Sequence, residues 1–371
     1  MPILNYIIWN ANPDIFSIPI NFWIFDFTLT LRWYGLLFAL GFLISQQILY
    51  YIFKKEGKPE KDVDTLTIYM VIATVIGARL GHVLFYEPER YLAHPIDIFK
   101  IWEGGLASHG AAMGIFFALW LYARKKFSKQ NYLQTLDRIA ILVALTGALI
   151  RFGNFINSEI IGKPTHSANG IVFARNVSEV LKSDQSVKKV SYVKQDSLPN
   201  EDGYQPVKIL LEFNEGQNSY DDYNQYVESR VNSFLSYNPY VREHINQTGN
   251  VDYKISQDET GNYFAIVNTY AIPRHPAQLY ESLSCLLLFV LLFWIWFQHK
   301  EKLPEGRLFG IFLTVCFGLR FFYEFLKENQ VDFENGLPLN MGQFLSIPLV
   351  LAGLFILIRS YRKESSQAEQ K

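Results

Sequence analysis

The sequence predicts an all-α polytopic membrane protein of about seven transmembrane helices, with a small α+β insertion on the extracytoplasmic side. Three observations predict it. Half of the residues are hydrophobic and 16% aromatic, yet mean hydropathy is only +0.07, which fits a membrane part carrying one polar module. Apolar runs approaching the ~20 residues that a bilayer span needs recur along the chain. A polar gap, about residues 163–273, separates the fourth run from the fifth and is rich in Asp, Glu, Asn, Ser, Tyr and Lys. The net charge of −1 offers no basic excess for nucleic acid.

The first basic residue is Arg32, so a charged n-region of a cleaved signal peptide is not expected and the first span serves as its own insertion signal. The stretch Ile15–Trp33 alternates apolar and polar residues in places and carries Trp23 and Trp33; it is expected to lie along the membrane surface. Spans are expected at Tyr34–Phe53, Leu66–Phe85, Leu106–Ala123, Ile139–Phe155, Leu283–Phe297, Leu308–Leu326 and Met341–Ile358. Basic residues follow alternate spans: Lys54, Lys55, Lys58 and Lys61; Arg124, Lys125, Lys126 and Lys129; His299, Lys300, Lys302 and Arg307; Arg359, Arg362 and Lys363. The excess of Lys and Arg in cytoplasmic loops then places the N-terminus outside and the C-terminus in the cytoplasm. Three parts follow: a membrane part over 1–162, an extracytoplasmic insertion over 163–273, and a membrane part over 274–371 with a short cytoplasmic tail. Within the insertion, Lys189–Lys194, Val207–Phe213, Val251–Ser256 and Asn262–Tyr270 alternate like strands, and Tyr220–Leu235 has helical periodicity. Cys285 and Cys316 sit in apolar runs and are expected to be buried thiols. No metal cluster and no cofactor are expected.

The polar residues inside the spans are unevenly distributed. Arg151, Asn154, Asn157 and Glu159 arrive together at the end of the fourth run, although each polar or ionisable group at membrane depth costs roughly 2.5–3.5 kcal/mol on insertion scales. Arg79, His82 and Tyr86 share one face near the outer end of the second span. His109 opens the third span within the stretch Glu103 to Gly114, whose small residues admit close backbone approach. Arg274, Gln278 and Glu281 open the fifth, Arg320 and Glu324 lie near the far end of the sixth, Asn340 and Gln343 open the seventh, and Tyr34 opens the first. Under the expected orientation all lie in the outer half of the membrane. Such a cationic cavity suits a lipid headgroup, because arginines fork onto phosphate oxygens, and its residue types supply acid–base chemistry.

At these residues the chain resembles the prolipoprotein diacylglyceryl transferases of bacterial inner membranes. Arg151-Phe152-Gly153-Asn154-Phe155-Ile156-Asn157-Ser158-Glu159-Ile160-Ile161-Gly162 is similar to the family signature. So are Leu31-Arg32-Trp33-Tyr34-Gly35, Ser108-His109-Gly110, and Arg274-His275-Pro276-Ala277-Gln278-Leu279-Tyr280-Glu281; Arg320 with Glu324 and Met341-Gly342-Gln343 also fall in family positions. Where the family usually has a second glycine after His-Gly, this chain has Ala111, and its insertion is expected to exceed the family's usual head domain. The resemblance implies transfer of the diacylglyceryl group of phosphatidylglycerol to the lipobox cysteine thiol of preprolipoproteins, forming a thioether and releasing glycerol phosphate. The residues fit this chemistry: a thiol needs deprotonation to attack, for which His109 is the candidate base and an arginine-lined pocket that stabilises the thiolate the alternative. Arg151 and Arg320 suit the charge on the leaving phosphate, and Tyr34 completes the expected catalytic set. Asn154, Asn157, Glu159, Gly162, Arg79, Arg274, Gln278, Glu281 and Glu324 are the expected substrate-binding set. The partners are phosphatidylglycerol, signal peptides bearing a lipobox cysteine, and membrane lipids. The rival reading is a non-enzymatic lipid-binding or lipid-moving membrane protein.

Overall fold

A computed structural model describes residues 6–22, 25–100, 104–124, 130–167, 169–195, 197–214, 219–328 and 336–368; Trp23, Lys125, Lys126 and Lys129, singled out above, lie outside the described residues. The chain opens with strands β1 (Ile7–Trp9), β2 (Asp14–Phe22) and β3 (Phe25–Arg32). Helices α1 (Trp33–Lys55), α2 (Lys61–Phe85), α3 (Pro88–Ala93), α4 (Ser108–Ala123) and α5 (Tyr132–Ile156) follow. Next come β4 (Ile171–Phe173), α6 (Arg175–Lys182), β5 (Val187–Lys194), β6 (Gln205–Phe213) and α7 (Tyr220–Tyr226), which a π turn (Val227–Val231) joins to α8 (Asn232–Tyr237). After α9 (Pro239–Arg242) come β7 (Ile245–Asn246), β8 (Asp252–Gln257) and β9 (Tyr263–Ala271), then α10 (Ala277–His299), α11 (Arg307–Tyr323) and α12 (Met341–Ala368).

Among the described residues, six helices are long and apolar enough to cross a membrane: α1, α2, α5, α12 and the runs Ala277–Lys302 and Arg307–Leu326. Each coincides with an expected span. The remaining expected span is α4, whose 16 residues make about 24 Å of helix against a hydrocarbon core of about 30 Å. The helix starts late because Gly104 and Gly105 hold φ of 90° and 73° and Ala107 is extended. The stretch expected along the membrane surface is a β-hairpin. Strands β2 and β3 pair antiparallel, with Ser17 opposite Thr30 and Ile18 opposite Leu29, so its alternation is the two-residue period of a strand.

The chain divides into two units. One comprises Leu37–Ile150, Glu281–Phe322 and Leu339–Lys371. Its apolar core gathers Leu49, Ile52, Phe53, Leu66, Leu119, Tyr122, Ile141, Leu292, Trp296 and Leu308. Helices α2 and α4 cross through glycines, backbone against backbone. A Cβ on Gly77 would lie 2.5 Å from the Gly110 oxygen, and one on Gly81 2.7 Å from the Gly110 Cα. Apolar lipid gives helices no hydrophobic reason to associate, so such small-residue crossings supply the van der Waals contact that holds them. At the end of this unit where α1 stops and α5 starts, the Arg138 Nη2 donates to Glu56 Oε1 at 2.8 Å and the Trp296 indole donates to the same oxygen at 2.7 Å. Lys58 pairs with the other carboxylate oxygen at 2.6 Å. Asp137 accepts the Gly306 and Phe309 amides at 2.7 and 2.9 Å, capping the start of α11.

The other unit comprises Met1–Leu36, Arg151–Tyr280 and Tyr323–Pro338. Its centre is an antiparallel sheet in the order β5-β6-β9-β7, with β8 also pairing β9. Val207, Ile209, Leu211 and Phe213 of β6 and Ala265, Val267 and Ala271 of β9 alternate into one core, which α6 covers with Val177 and Leu181 and the α7–α8 run with Tyr223, Val227, Val231 and Leu235. The four expected strands are β5, β6, β8 and β9, and the expected helix is the α7–α8 run. Strand β1 pairs in parallel with β4, and Tyr6 reaches the same core, its hydroxyl donating to the Pro206 oxygen at 2.8 Å.

Candidate active site

The end of α5 builds the polar cluster. Gly153 lets the helix pass the start of α1: a Cβ there would meet the Tyr34 Cα and ring at 3.1 Å. Tyr34 lies within electrostatic reach of both Glu159 and Arg151. Beyond Ile156 the chain leaves the helix through Ser158 (φ 56°) and Ile160 (φ 55°), both left-handed. That region is costly for any side chain, about 1–3 kcal/mol, and most of all for a β-branched one. The strain turns Glu159 back over the helix end, where its amide donates to the Asn154 oxygen at 3.0 Å. Its carboxylate oxygens accept the Asn154 and Asn157 side-chain amides, each at 3.1 Å. Gln278 donates its side-chain amide to the Glu159 main-chain oxygen. Five expected residues, Tyr34, Arg151, Asn154, Asn157 and Glu159, thus lie in one network with Gln278.

Gly162 closes the signature as a packing position. A Cβ there would collide with the His275 oxygen and lie 2.9 Å from the Leu326 oxygen, so only glycine permits the bridges to His275 and Lys327. Arg274 was expected to touch substrate. It is instead 5% exposed and clamps three segments, donating to the Glu243 and Gly162 oxygens at 2.8 and 3.0 Å and to the Glu328 carboxylate at 2.6 Å. Glu324 accepts from Lys327 at 3.0 Å. Lys327 is itself 2% exposed, a buried cation that sequence reasoning missed, although it continues the Arg320 and Glu324 spacing by three residues. Arg175, also missed, donates to the Asn157 main-chain oxygen and pairs with Glu179 at 2.7 Å.

In the helical unit, His109 lies in the first turn of α4, its ring centroid 5.3 Å from that of Phe85 and 5.8 Å from that of Tyr86. Arg79, expected to meet a headgroup, directs its guanidinium at backbone: the oxygens of Ile98 (2.8 Å), Gly104 (2.6 Å), Gly105 (3.2 Å) and Lys100 (3.2 Å), and that of Asp97. It ties Asp97, Ile98 and Lys100 to Gly104 and Gly105 ahead of His109. Arg320 and Glu281 both lie within electrostatic reach of Cys316, which hydrogen-bonds Cys285; the two thiols form no disulfide and are half-buried, where they were expected to be buried. Asn340 and Gln343 cap the start of α12 reciprocally, at 2.9 and 3.0 Å. Glu103, in the stretch before His109, lies outside the described residues.

With the strained signature and its amide-clasped glutamate in view, comparison with known proteins settles the family. The family model described as "Prolipoprotein diacylglyceryl transferase" matches residues 19–359. The chain belongs to the prolipoprotein diacylglyceryl transferase family. It is 35% identical over 357 residues to the phosphatidylglycerol–prolipoprotein diacylglyceryl transferase of Tolumonas auensis, covering 96% of this chain and 98% of the relative. The protein of the same name from Chloroherpeton thalassium is 34% identical over 362 residues, covering 97% and 96%. That from Bacteroides fragilis is 32% identical over 370 residues, covering 96% of each. These alignments span nearly the full length of both partners, so the chain carries no large net insertion relative to these relatives.

Proposed function

We propose that this transferase moves the diacylglyceryl group of phosphatidylglycerol onto the lipobox cysteine thiol of a preprolipoprotein, forming a thioether and releasing glycerol phosphate. Family membership supports the activity, and the signature loop is the observation that carries it to particular residues. Two asparagines fix the Glu159 carboxylate beside Tyr34 and Arg151, which is a preorganised polar surface rather than a helix-packing device. The thiol sulfur attacks the glycerol carbon that bears the phosphate; the carbon–oxygen bond breaks and a carbon–sulfur bond forms. A thiol must lose its proton to attack well, and His109 is the base in this reading. Arg151 and Arg320 are the cations for the charge developing on the departing phosphate, with planar donor pairs suited to its oxygens. Asn154, Asn157 and Glu159 orient the headgroup, while Arg79 and Arg274 act through the backbone they hold.

In the same reading α4, with the extended Ala107 before it, forms a seventh crossing of the bacterial inner membrane. The N-terminus and residues 163–273 are extracytoplasmic and the C-terminus cytoplasmic. A cysteine at Asn250 should react with an impermeant reagent in spheroplasts and one at Lys300 should not; the reverse pattern rejects this orientation. Incubation of purified protein with phosphatidylglycerol and a lipobox peptide tests the activity. Bound lipid with an unmodified peptide would favour a lipid-binding protein.

A further inference from the structure

Two side chains beside Glu159 are oriented by their own chemistry. Asn157 turns Nδ2 to a Glu159 carboxylate oxygen and Gln278 turns Nε2 to the Glu159 main-chain oxygen. Both receiving atoms can only accept, so the amide nitrogens must face them and the amide oxygens must face elsewhere. Those oxygens, Asn157 Oδ1 and Gln278 Oε1, are buried and receive no donor from the protein, and the adjacent Ser158 hydroxyl is also buried without a partner. The three residues are 6%, 1% and 5% exposed. Buried polar atoms are nearly always paired, and leaving one unpaired costs about 1–3 kcal/mol. Here Asn157 and Ser158 belong to the strained stretch, and Gln278 joins them from α10 through its bond to the Glu159 main-chain oxygen, beside a Glu159 side chain that is itself exposed.

We propose that these atoms read the free hydroxyls of a glycerol headgroup, making Asn157, Gln278 and Ser158 specificity-determining residues. The inference rests on phosphatidylglycerol being the lipid substrate, and it separates two tasks that the signature performs. Ionised phosphate oxygens only accept and would meet the amide oxygens as like dipoles, so phosphate belongs to the cations. A hydroxyl donates, and two hydroxyls match two amide oxygens, with Ser158 able to donate or accept. A quaternary ammonium headgroup has no N–H to give. A primary ammonium would seek a carboxylate, and each Glu159 oxygen already accepts an asparagine amide.

Purified full-length protein is given a lipobox peptide with phosphatidylglycerol, with the analogue lacking the middle headgroup hydroxyl, with the analogue lacking both, or with phosphatidylethanolamine. Wild type should lose at least about tenfold in kcat/KM for each hydroxyl removed, because a site built to bind a hydroxyl leaves its own polar atoms unpaired when the hydroxyl is missing. In Asn157→Leu and Gln278→Met, the ratio of phosphatidylglycerol to the fully deoxygenated lipid should collapse to within a few-fold. Ser158→Ala removes a single oxygen and should give an intermediate ratio even if the larger changes prevent folding. A wild type that uses the deoxygenated lipids as well as phosphatidylglycerol, or variants that keep the wild-type ratio, would overturn the inference while leaving the activity intact. Efficient use of phosphatidylethanolamine would also overturn it. Failure to transfer from any lipid would instead strike the functional reading, and this inference with it.

Discussion

Gly77→Ala probes whether the α2–α4 crossing sets the position of His109. The new Cβ would stand 2.5 Å from the Gly110 oxygen, whereas ordinary contact begins at 3.4 Å, so the helices must part by about 0.9 Å. The obstruction is backbone on both sides, and neither helix can yield by rotating a side chain. Overpacking of this kind costs about 1–3 kcal/mol. With His109 as the proposed base the effect on chemistry is larger, because Gly110 adjoins His109 and a displacement near 1 Å can lower a rate about 100-fold. The expected result is a 10- to 100-fold slower transfer to a lipobox peptide, on the scale set by that geometry, with a lower Tm in detergent. Gly318→Ala is the control, since a Cβ there meets nothing within 4 Å, and its Tm should not fall. A Gly77→Ala protein with wild-type rate and Tm would refute the claim that the glycine crossing sets the position of His109.

His109→Ala should lower turnover about 10²–10⁴-fold while the protein still accumulates in the membrane, as loss of a general base does; near-normal turnover would remove His109 from the proton transfer. Burial, with Arg274 beside it, holds the His244 imidazole down at about 3 from its usual 6.5, so it stays neutral in the folded module while the unfolded chain takes up a proton below about 6.5. Stability from this residue is therefore present above about pH 6.5 and lost as pH falls toward 3. Hydrogen exchange of the β9 amides, corrected for intrinsic rates, should show weakening protection from pH 7 to 5. His244→Asn should flatten that slope, and an unchanged slope would dismiss the residue as its source.

The spans were legible because lipid demands long apolar runs and the sequence supplies them. Residues 106–123 misled on length: hydropathy sees an apolar run from Leu106, whereas the helix waits until Ser108 for reasons held in the dihedrals of Gly104 and Gly105. The hairpin showed its period of two but not its partner strand, which makes alternation at a membrane surface ambiguous between a strand and an irregular segment. The signature residues announced themselves as polar groups at the end of an apolar run. Which of them face backbone could not be read, because Arg79, Arg274 and Arg151 look alike in one dimension. The Glu56, Lys58, Asp137 and Arg138 group was missed as a unit. Its members sit just beyond the ends of the apolar runs, and only the antiparallel packing of α1, α5, α10 and α11 brings them together. Mutual pairing and the helix cap satisfy them, so they form a polar lock rather than a solute path.

In the proposed reaction one protein breaks the bond between the diacylglyceryl group and phosphate and forms a thioether to cysteine. Purified wild-type protein supplied with phosphatidylglycerol labelled separately in its acyl chains and its headgroup, together with a lipobox peptide, tests it most directly. The expected result is acyl label on the peptide cysteine that resists neutral hydroxylamine, headgroup label released as glycerol phosphate in equal amount, and neither product with a Cys→Ser peptide. Lipid retained on the protein with both labels together and the peptide unchanged would contradict it.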